Sequence, residues 1–374
     1  MSSNNQKQSS LPREVAEALS GVEVYYKGVT RWLERLYDKR TGGFFMAISG
    51  AEDPEIEPAI EMTDWAIRIL KTYTDAFPDM PERFRDGIIA FMDARQDEKS
   101  GLFIDTQGHA NARETARNQD AALSTYEILG KNTKYPHPRN TSKADTDDVV
   151  IPDYLSSVDS YIDWVSRMNW ENGSWTAGDQ TQASLQFVNM LPKQKAAEYK
   201  KALLAWLGSH QLESGFWSPN MNFNAVSGAF KVGLVYLMCG ERLPSPERVV
   251  DSIFACYSLS DTENPFFVRN PISVLKQIAD YSPELKERVR KGIIANIDKI
   301  TEVFGRFLCP DGAFSAKLGE AMISFGGVVG SHGLYEGDID ATLMMLIARD
   351  TLYSIFDTKA PPLDAKGFFE RIYT

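Results

Sequence analysis

A short sequence phrase recurs five times in this chain and constrains its fold more than any other feature. In each copy a polar helix end is followed by a glycine and, two residues later, by an aromatic ring. The copies are Asp38–Phe44, Gln96–Phe103, Asn169–Trp175, Gln211–Trp217 and Cys309–Phe314. Glycine can adopt positive φ just beyond a helix C-terminus, and the ring can fill the seam to the next helix. Five copies indicate a repeat architecture.

Hydrophobic periodicity predicts twelve helices around these phrases. Helices that follow a phrase are rich in small and apolar residues, as expected of buried helices, whereas those that precede one carry charged faces. Six helices of each kind in alternation predict an all-α fold, an (α/α)6 toroid of six inner and six outer helices. An open solenoid is the alternative, but a solenoid needs polar caps at both ends. The helices are expected near residues 11–37, 60–73, 81–95, 113–129, 154–168, 180–190, 195–210, 225–238, 246–257, 271–281, 283–308 and 338–355.

The composition, with 43% hydrophobic and 24% charged residues, is that of a globular protein. We expect residues 1–11 to be disordered and residues 12–374 to form a single toroid domain. The net charge of −11 argues against nucleic acid as the main partner. No apolar run reaches the ~18 residues of an integral membrane segment, and no secretory signal opens the chain. We therefore expect a cytoplasmic protein with a small-molecule substrate, and the oligomeric state is left open.

No metal or cofactor is expected from the sequence. Cys239, Cys256 and Cys309 lie far apart and lack His or Asp neighbours at ligand spacing. CxxC and HExxH patterns, which would indicate zinc, do not occur. The three cysteines are expected to be reduced.

Polar residues just after the phrases are the candidate substrate-binding residues. In a toroid the starts of the inner helices, with their unpaired N–H groups and dipoles, open on the mouth of one central cavity. Helix capping explains much of the acidic enrichment there. It does not explain His109, Arg113 and Arg269, because cations are disfavoured at helix N-termini. The candidates are Asp64, His109, Arg113, Glu114, Arg269, Tyr335 and Glu336.

The glycine-rich segment 319–337 leads into the last helix, and three carboxylates, Glu336, Asp338 and Asp340, lie within five residues at this junction. Long ordered loops in compact folds are often functional lids. One carboxylate can cap the helix, and repulsion and burial should raise the pKa of at least one other, as a proton donor requires. A solvated acidic helix start is the alternative, but the apolar residues that follow favour burial.

The repeated phrase resembles the QW repeat of terpenoid cyclases and of the related protein prenyltransferases, which are (α/α)6 toroids. Asp338–Thr342, with the sequence DIDAT, is similar to the DxDD-Thr motif of class II terpenoid cyclases. The resemblance implies that Asp340 is the proton-donating acid, Asp338 the first Asp of the motif, and His332 or His109 a supporting imidazole. Ala341 replaces the third Asp of the motif. Zinc ligands of prenyltransferases and the DDxxD motif of class I cyclases have no match.

Three functions follow from these patterns. The first is a class II terpenoid cyclase-like enzyme, with Asp340, Asp338 and His332 as catalytic residues, that cyclises an isoprenoid-derived substrate after protonation. The second is a glycoside hydrolase or polysaccharide lyase, in which Asp340 and Asp64 or Glu114 act as acid and base. Arg113 and Arg269 would then hold an anionic sugar. The third is a non-catalytic binding scaffold.

Overall fold

A computed structural model of the protein describes residues 11–107, 112–138 and 152–374. For residues 112–116 it describes the backbone only. Helices make up most of this part of the chain, which confirms the all-α class. A short antiparallel hairpin, β1 (Ser324–Phe325) and β2 (Val328–Val329), lies within the glycine-rich segment. The helices are α1 (Arg13–Glu23), α2 (Val29–Arg35), α3 (Ile48–Glu52), α4 (Ile60–Tyr73), α5 (Glu82–Asp93), α6 (Ala112–Leu129), α7 (Val158–Ser166), α8 (Ser174–Val188), α9 (Lys193–Ser209), α10 (Phe223–Met238), α11 (Pro246–Leu259), α12 (Pro265–Ala279), α13 (Pro283–Glu302), α14 (Ile339–Ile355) and α15 (Phe368–Arg371).

The predicted first helix, residues 11–37, is divided in the structure. It forms α1, a 3-10 turn at Val24–Tyr26, and α2. Gly28 lies directly before α2 and against the backbone of Gly312, so a Cβ at residue 28 would stand 2.6 Å from the Cα of Gly312. The close approach of Gly28 to Gly312, which is distant in sequence, accompanies the break between α1 and α2. Local hydrophobic periodicity does not reveal such a contact.

Helix α12 begins six residues earlier than predicted. The side chain of Asn264 accepts a hydrogen bond from the Phe267 N–H at 3.2 Å and caps the helix, which starts at Pro265. Proline suits the first helical position because its missing N–H is not needed there. Pro271, the predicted start, therefore lies inside the helix, and Arg269 lies within α12 rather than before it.

The predicted positive φ occurs at four of the five phrase glycines, Gly42, Gly101, Gly215 and Gly312. Gly173 differs, with φ −128°, because α8 begins at the next residue and the glycine is its N-cap. The rings of Phe44, Phe103 and Phe314 are completely buried, as the seam-filling role requires.

The backbone of these three phenylalanines is held by equivalent residues of the helices that follow. In each copy the aromatic residue donates its backbone N–H to a side-chain oxygen of the next buried helix, at 2.7–3.1 Å. The repeat is therefore a hydrogen-bonded unit, and it places α4, α6 and α14 in matching register. The acceptors are Thr63 for Phe44, Gln119 for Phe103 and Thr342 for Phe314.

The glutamines of the two best-preserved phrases share a second role. The Gln96 amide donates to the carbonyls of Gly101 at 2.9 Å and Tyr135 at 3.0 Å, and its oxygen accepts from the Tyr135 N–H at 2.9 Å. The Gln211 amide likewise donates to the carbonyls of Gly215 and Pro244. Each glutamine thus joins its own phrase to a later loop.

Replacing Gln96 with alanine should lower the free energy of unfolding by about 2–3 kcal/mol. Gln96 is only 6% exposed, so the three backbone groups that it binds would lose their hydrogen-bond partner where little water can replace it. Urea denaturation followed by circular dichroism measures the change. Glu98→Ala, at an exposed position of the same phrase, is the matched control and should have little effect. Equal losses in both variants would contradict the bridging role.

The described chain divides into two compact units. Unit 1 comprises residues 11–19, 152–303 and 347–360, and unit 2 comprises residues 20–107, 112–138, 304–346 and 361–374. Within unit 1 the buried helix α10 packs between α8 and α12, while the half-exposed helices pack as the pairs α7 with α9 and α11 with α13. Within unit 2 the buried helices α4 and α6 pack together. This alternation is the predicted (α/α) helix arrangement, and the single-domain organisation stays a prediction.

Candidate functional site

One extended segment of unit 2 brings two helix starts together. Phe44 pairs through its backbone with Ala59, just before α4, and Ala47 pairs with Asp338, just before α14. The Ile339 N–H also donates to the carbonyl of Met46 at 3.0 Å. The first turns of α4 and α14 therefore lie side by side, together with the acidic residues that they carry.

Asp338 is fully buried and holds three backbone groups. Its Oδ1 accepts from the Ala341 N–H at 2.8 Å, which caps α14. Its Oδ2 accepts from the N–H groups of Ala316 at 2.8 Å and Met322 at 3.1 Å. Burial raises the pKa of Asp338 to about 6, against the opposing effect of these donors. Asp338 is therefore the predicted capping carboxylate, and it also fixes the segment that precedes the helix.

Asp340 lies in the first turn of α14 and is only 3% exposed. It stands two residues before the residue that binds the phrase backbone, and Glu61 in α4 and Arg117 in α6 occupy the same position of the repeat. The Arg117 Nε and a Glu61 carboxylate oxygen form an ion pair at 2.8 Å. The repeat thus places ionisable side chains at one equivalent position of three buried helices.

The hairpin packs against α4 and α6. The Phe325 ring packs edge-on against Trp65 of α4, with a centroid distance of 5.0 Å. The Arg117 guanidinium lies 4.4 Å from the same ring centroid. The crevice beneath retains about 10 Å³, the space of roughly one water molecule. It is lined by Ala59, Glu61, Met62, Asp105, Asn118, Phe325, Gly326 and Val328.

Phe325→Ala should loosen the hairpin, because it removes both the Trp65 contact and the Arg117 contact. We expect hydrogen–deuterium exchange across residues 323–329 to become at least about tenfold faster. This factor corresponds to a decrease of ~1.4 kcal/mol in the free energy of local opening. Val329→Ala changes an exposed residue of the same hairpin and is the control. Unchanged exchange in Phe325→Ala would show that other contacts hold the hairpin.

A hydrogen-bonded chain fastens the end of the glycine-rich segment to α3. The Glu336 carboxylate accepts from the Ser49 N–H at 2.8 Å and from the Ser49 hydroxyl. That hydroxyl accepts from the His332 N–H at 3.0 Å, and the His332 Nε2 lies 2.9 Å from Asp53 Oδ2. Ser49 was missed by sequence reasoning because the short helix α3 has no recognisable periodicity.

The predicted residues thus fall into different surroundings within unit 2. Glu336 is buried, Tyr335 is 61% exposed, and the His332 side chain is 51% exposed beside Asp53. His109 lies outside the described residues. Arg113 and Glu114 lie in α6, but their side chains are outside the description.

Asp64 is buried on α4, and an arginine of the same helix faces it. Its Oδ2 lies 2.6 Å from the Arg68 Nε, and the Thr125 hydroxyl donates to its Oδ1 at 3.3 Å. Burial raises the pKa of Asp64 to about 6, although Arg68 opposes the shift. This is a carboxyl group that changes charge near neutral pH.

Asp64→Asn should flatten the pH dependence of stability. Because its folded-state pKa lies above the ordinary value of 3.8, the folded protein holds this proton more tightly than the unfolded chain. Its contribution to the unfolding free energy therefore falls as the pH rises from about 4 to about 6. Urea denaturation across this range should show a smaller fall in Asp64→Asn than in the wild type. Asp79→Asn, at an exposed position, should retain the wild-type slope.

Arg269 belongs to unit 1, where it lies in α12. Its Nη1 donates to the Asn270 side chain at 2.8 Å, and its guanidinium lies 4.4 Å from the centroid of the Phe230 ring. Lys231, also beside this ring, forms an ion pair with Asp179 at 2.7 Å. Two cations thus flank one aromatic ring.

In residues 11–107, 112–138 and 152–374, no group of three or more His, Cys, Asp and Glu side chains is placed to hold a metal ion. No helix in this part of the chain combines the length and the apolar character needed to cross a bilayer.

Comparisons with known proteins give a structural likeness. No protein-family model and no curated protein sequence matches the chain. Among solved structures, it is similar to a variant of the type II terpene cyclase MstE from Scytonema, in complex with the product merosterolic acid A. The match has 12% sequence identity and a TM-score of 0.47, and it covers 91% of this chain and 99% of that chain.

Proposed function

We propose that the chain is a class II terpenoid cyclase-like enzyme in which Asp340 protonates an isoprenoid-derived substrate. The observation that carries the proposal is the division of roles between two neighbouring carboxylates. Asp338 is occupied by three backbone N–H groups. Asp340, two residues further along the chain, is also buried, while the Ala341 N–H at the start of α14 is bound by Asp338. The start of α14 thus carries a second buried carboxyl group, and burial favours the protonated form that a general acid needs.

The reaction would begin with transfer of the Asp340 proton to a terminal alkene carbon or to an epoxide oxygen. The π electrons of the next double bond then close the ring, and loss of a proton from the final cation gives a neutral product. The faces of aromatic rings attract cations, and Trp65 of α4 is such a ring near the helix starts. His332 is proposed to support the acid from the segment anchored by Ser49 and Glu336.

Incubation with polyprenyl compounds that carry terminal alkenes or epoxides tests the proposal. The expected product of a simple cyclisation has the mass of its substrate, and the reaction in D₂O places one deuterium at the protonated carbon of an alkene substrate. Mass spectrometry detects both. Absence of conversion across the panel, with no thermal stabilisation by any of the isoprenoid compounds, would contradict it.

A carbohydrate-active enzyme is the second candidate, because the carboxylates around the helix starts are paired with arginines. Asp64 with Arg68 and Glu61 with Arg117 form a polar surrounding that suits sugar hydroxyls. Release of new reducing ends or of unsaturated products from neutral and acidic oligosaccharides would support this function.

A further inference from the structure

Unit 1 carries a second concave site, formed by the third and fourth phrases and the ends of α7 and α9. The groove encloses about 540 Å³. Three indole rings and an imidazole contribute to its walls. It is lined by Ser166, Met168, Asn169, Trp170, Glu171, Trp206, His210, Leu212, Trp217 and Pro219.

The aromatic walls are fixed in place. The Trp170 indole donates to the carbonyl of Val165 at 2.9 Å, and the Trp217 indole donates to that of Leu207 at 2.7 Å. Trp206 lies 5.5 Å from Trp170, at an interplanar angle of 46°. Rings whose polar ends are already bound to backbone present carbon surface to the groove.

The rim of the groove supplies both donors and acceptors. His210 stacks on Trp206 with a centroid distance of 4.1 Å, and its Nδ1 lies 2.8 Å from the Trp206 carbonyl. Its Nε2 is the ring nitrogen left for a ligand, on an exposed residue. The carboxylate of Glu171, which is also exposed, is an acceptor on the same rim.

We propose that this groove binds a neutral oligosaccharide, a role independent of the proposed reaction. The C–H face of a sugar ring packs on indole carbon, while each hydroxyl can both donate and accept a hydrogen bond. That mixture matches a rim with an imidazole and a carboxylate. A quaternary ammonium ion has no N–H or O–H group and would meet only the charge of the carboxylate, and an aliphatic chain would use neither rim group. Ligand sites generally combine an aromatic lining with a few placed polar groups.

Isothermal titration of the full chain with cellohexaose, maltohexaose and xylohexaose tests the site. We expect at least one hexasaccharide to bind. Trp206→Ala should weaken that binding by at least about tenfold, and Glu171→Gln by about threefold or more, because both groups contact the sugar. Trp164→Ala is the matched control, since Trp164 stacks on Tyr154 at 4.0 Å, outside the groove lining, and the wild-type affinity should persist.

Circular dichroism and thermal melts accompany each variant. If Trp206→Ala unfolds, Glu171→Gln decides, because it changes an exposed side chain. Failure of all three hexasaccharides to bind, or equal affinity in wild type and both groove variants, would overturn the proposal. So would binding of tetramethylammonium or of a decaproline peptide in place of the sugars. Cyclase activity in the Trp206→Ala variant should be unchanged, so the groove and the proposed reaction are tested separately.

Discussion

Asp340→Asn should abolish conversion of an isoprenoid substrate while the fold stays intact. An amide has the size of the carboxyl group but cannot deliver its proton, and loss of a general acid typically costs about 10²–10⁴-fold in rate. Product formation by mass spectrometry, with substrate in excess, measures the loss. The melting temperature should change little, since the cap of α14 is made by Asp338.

Glu127→Gln provides the control for this experiment. Glu127 is an exposed residue of α6, and the same chemical change there should leave the rate at the wild-type level. A large loss of melting temperature in Asp340→Asn would assign that carboxylate to the structure of the helix start. Full activity in a folded Asp340→Asn protein would remove Asp340 from the proposed mechanism.

Asp338→Asn should destabilise the protein by about 2–4 kcal/mol, the largest stability effect that we expect. The two carboxylate oxygens of Asp338 face three backbone N–H groups. An amide nitrogen in either position would oppose at least one donor with another donor, inside a fully buried site. Urea denaturation measures the loss of unfolding free energy.

Asp97→Asn separates this effect from ordinary turn capping. Asp97 accepts from the Ser100 N–H at 2.8 Å in an exposed turn, where water can replace the lost bond. We expect a loss below about 1 kcal/mol there. A similarly small loss in Asp338→Asn would mean that the segment before α14 is held by other contacts, such as the Glu336–Ser49 pair.

Helix positions could be predicted well because their signals are local. Helix α4 has the predicted limits, residues 60–73, since a continuous apolar stripe is bounded by polar turns. The start of α12 was predicted wrongly because Pro271 suggested a boundary, whereas the Asn264 cap defines it. The break before α2 depends on the close approach of Gly28 to Gly312, a contact that no local pattern encodes.

The candidate site could be predicted in part, because some of its signals are also local in the sequence. The DIDAT segment indicated a cap and a second carboxylate, and the structure assigns the cap to Asp338. The partners of Glu336 and His332, which are Ser49 and Asp53, lie almost three hundred positions away in the sequence. Pairings over such distances follow from the fold and not from spacing.

The backbone bridges of Phe44 with Ala59 and of Ala47 with Asp338 have a consequence for synthesis on the ribosome. Unit 2 uses residues from both sides of the stretch that forms most of unit 1. Its early helices therefore emerge long before the strand partner at Asp338 and the ring of Phe314 exist. During translation the apolar surfaces of these helices stay exposed until residues 304–346 have been made. Residues 152–303, which form most of unit 1, are synthesised before that point and can fold earlier. We therefore expect a chaperone to bind the incomplete chain, in which these surfaces are exposed, and not the folded protein.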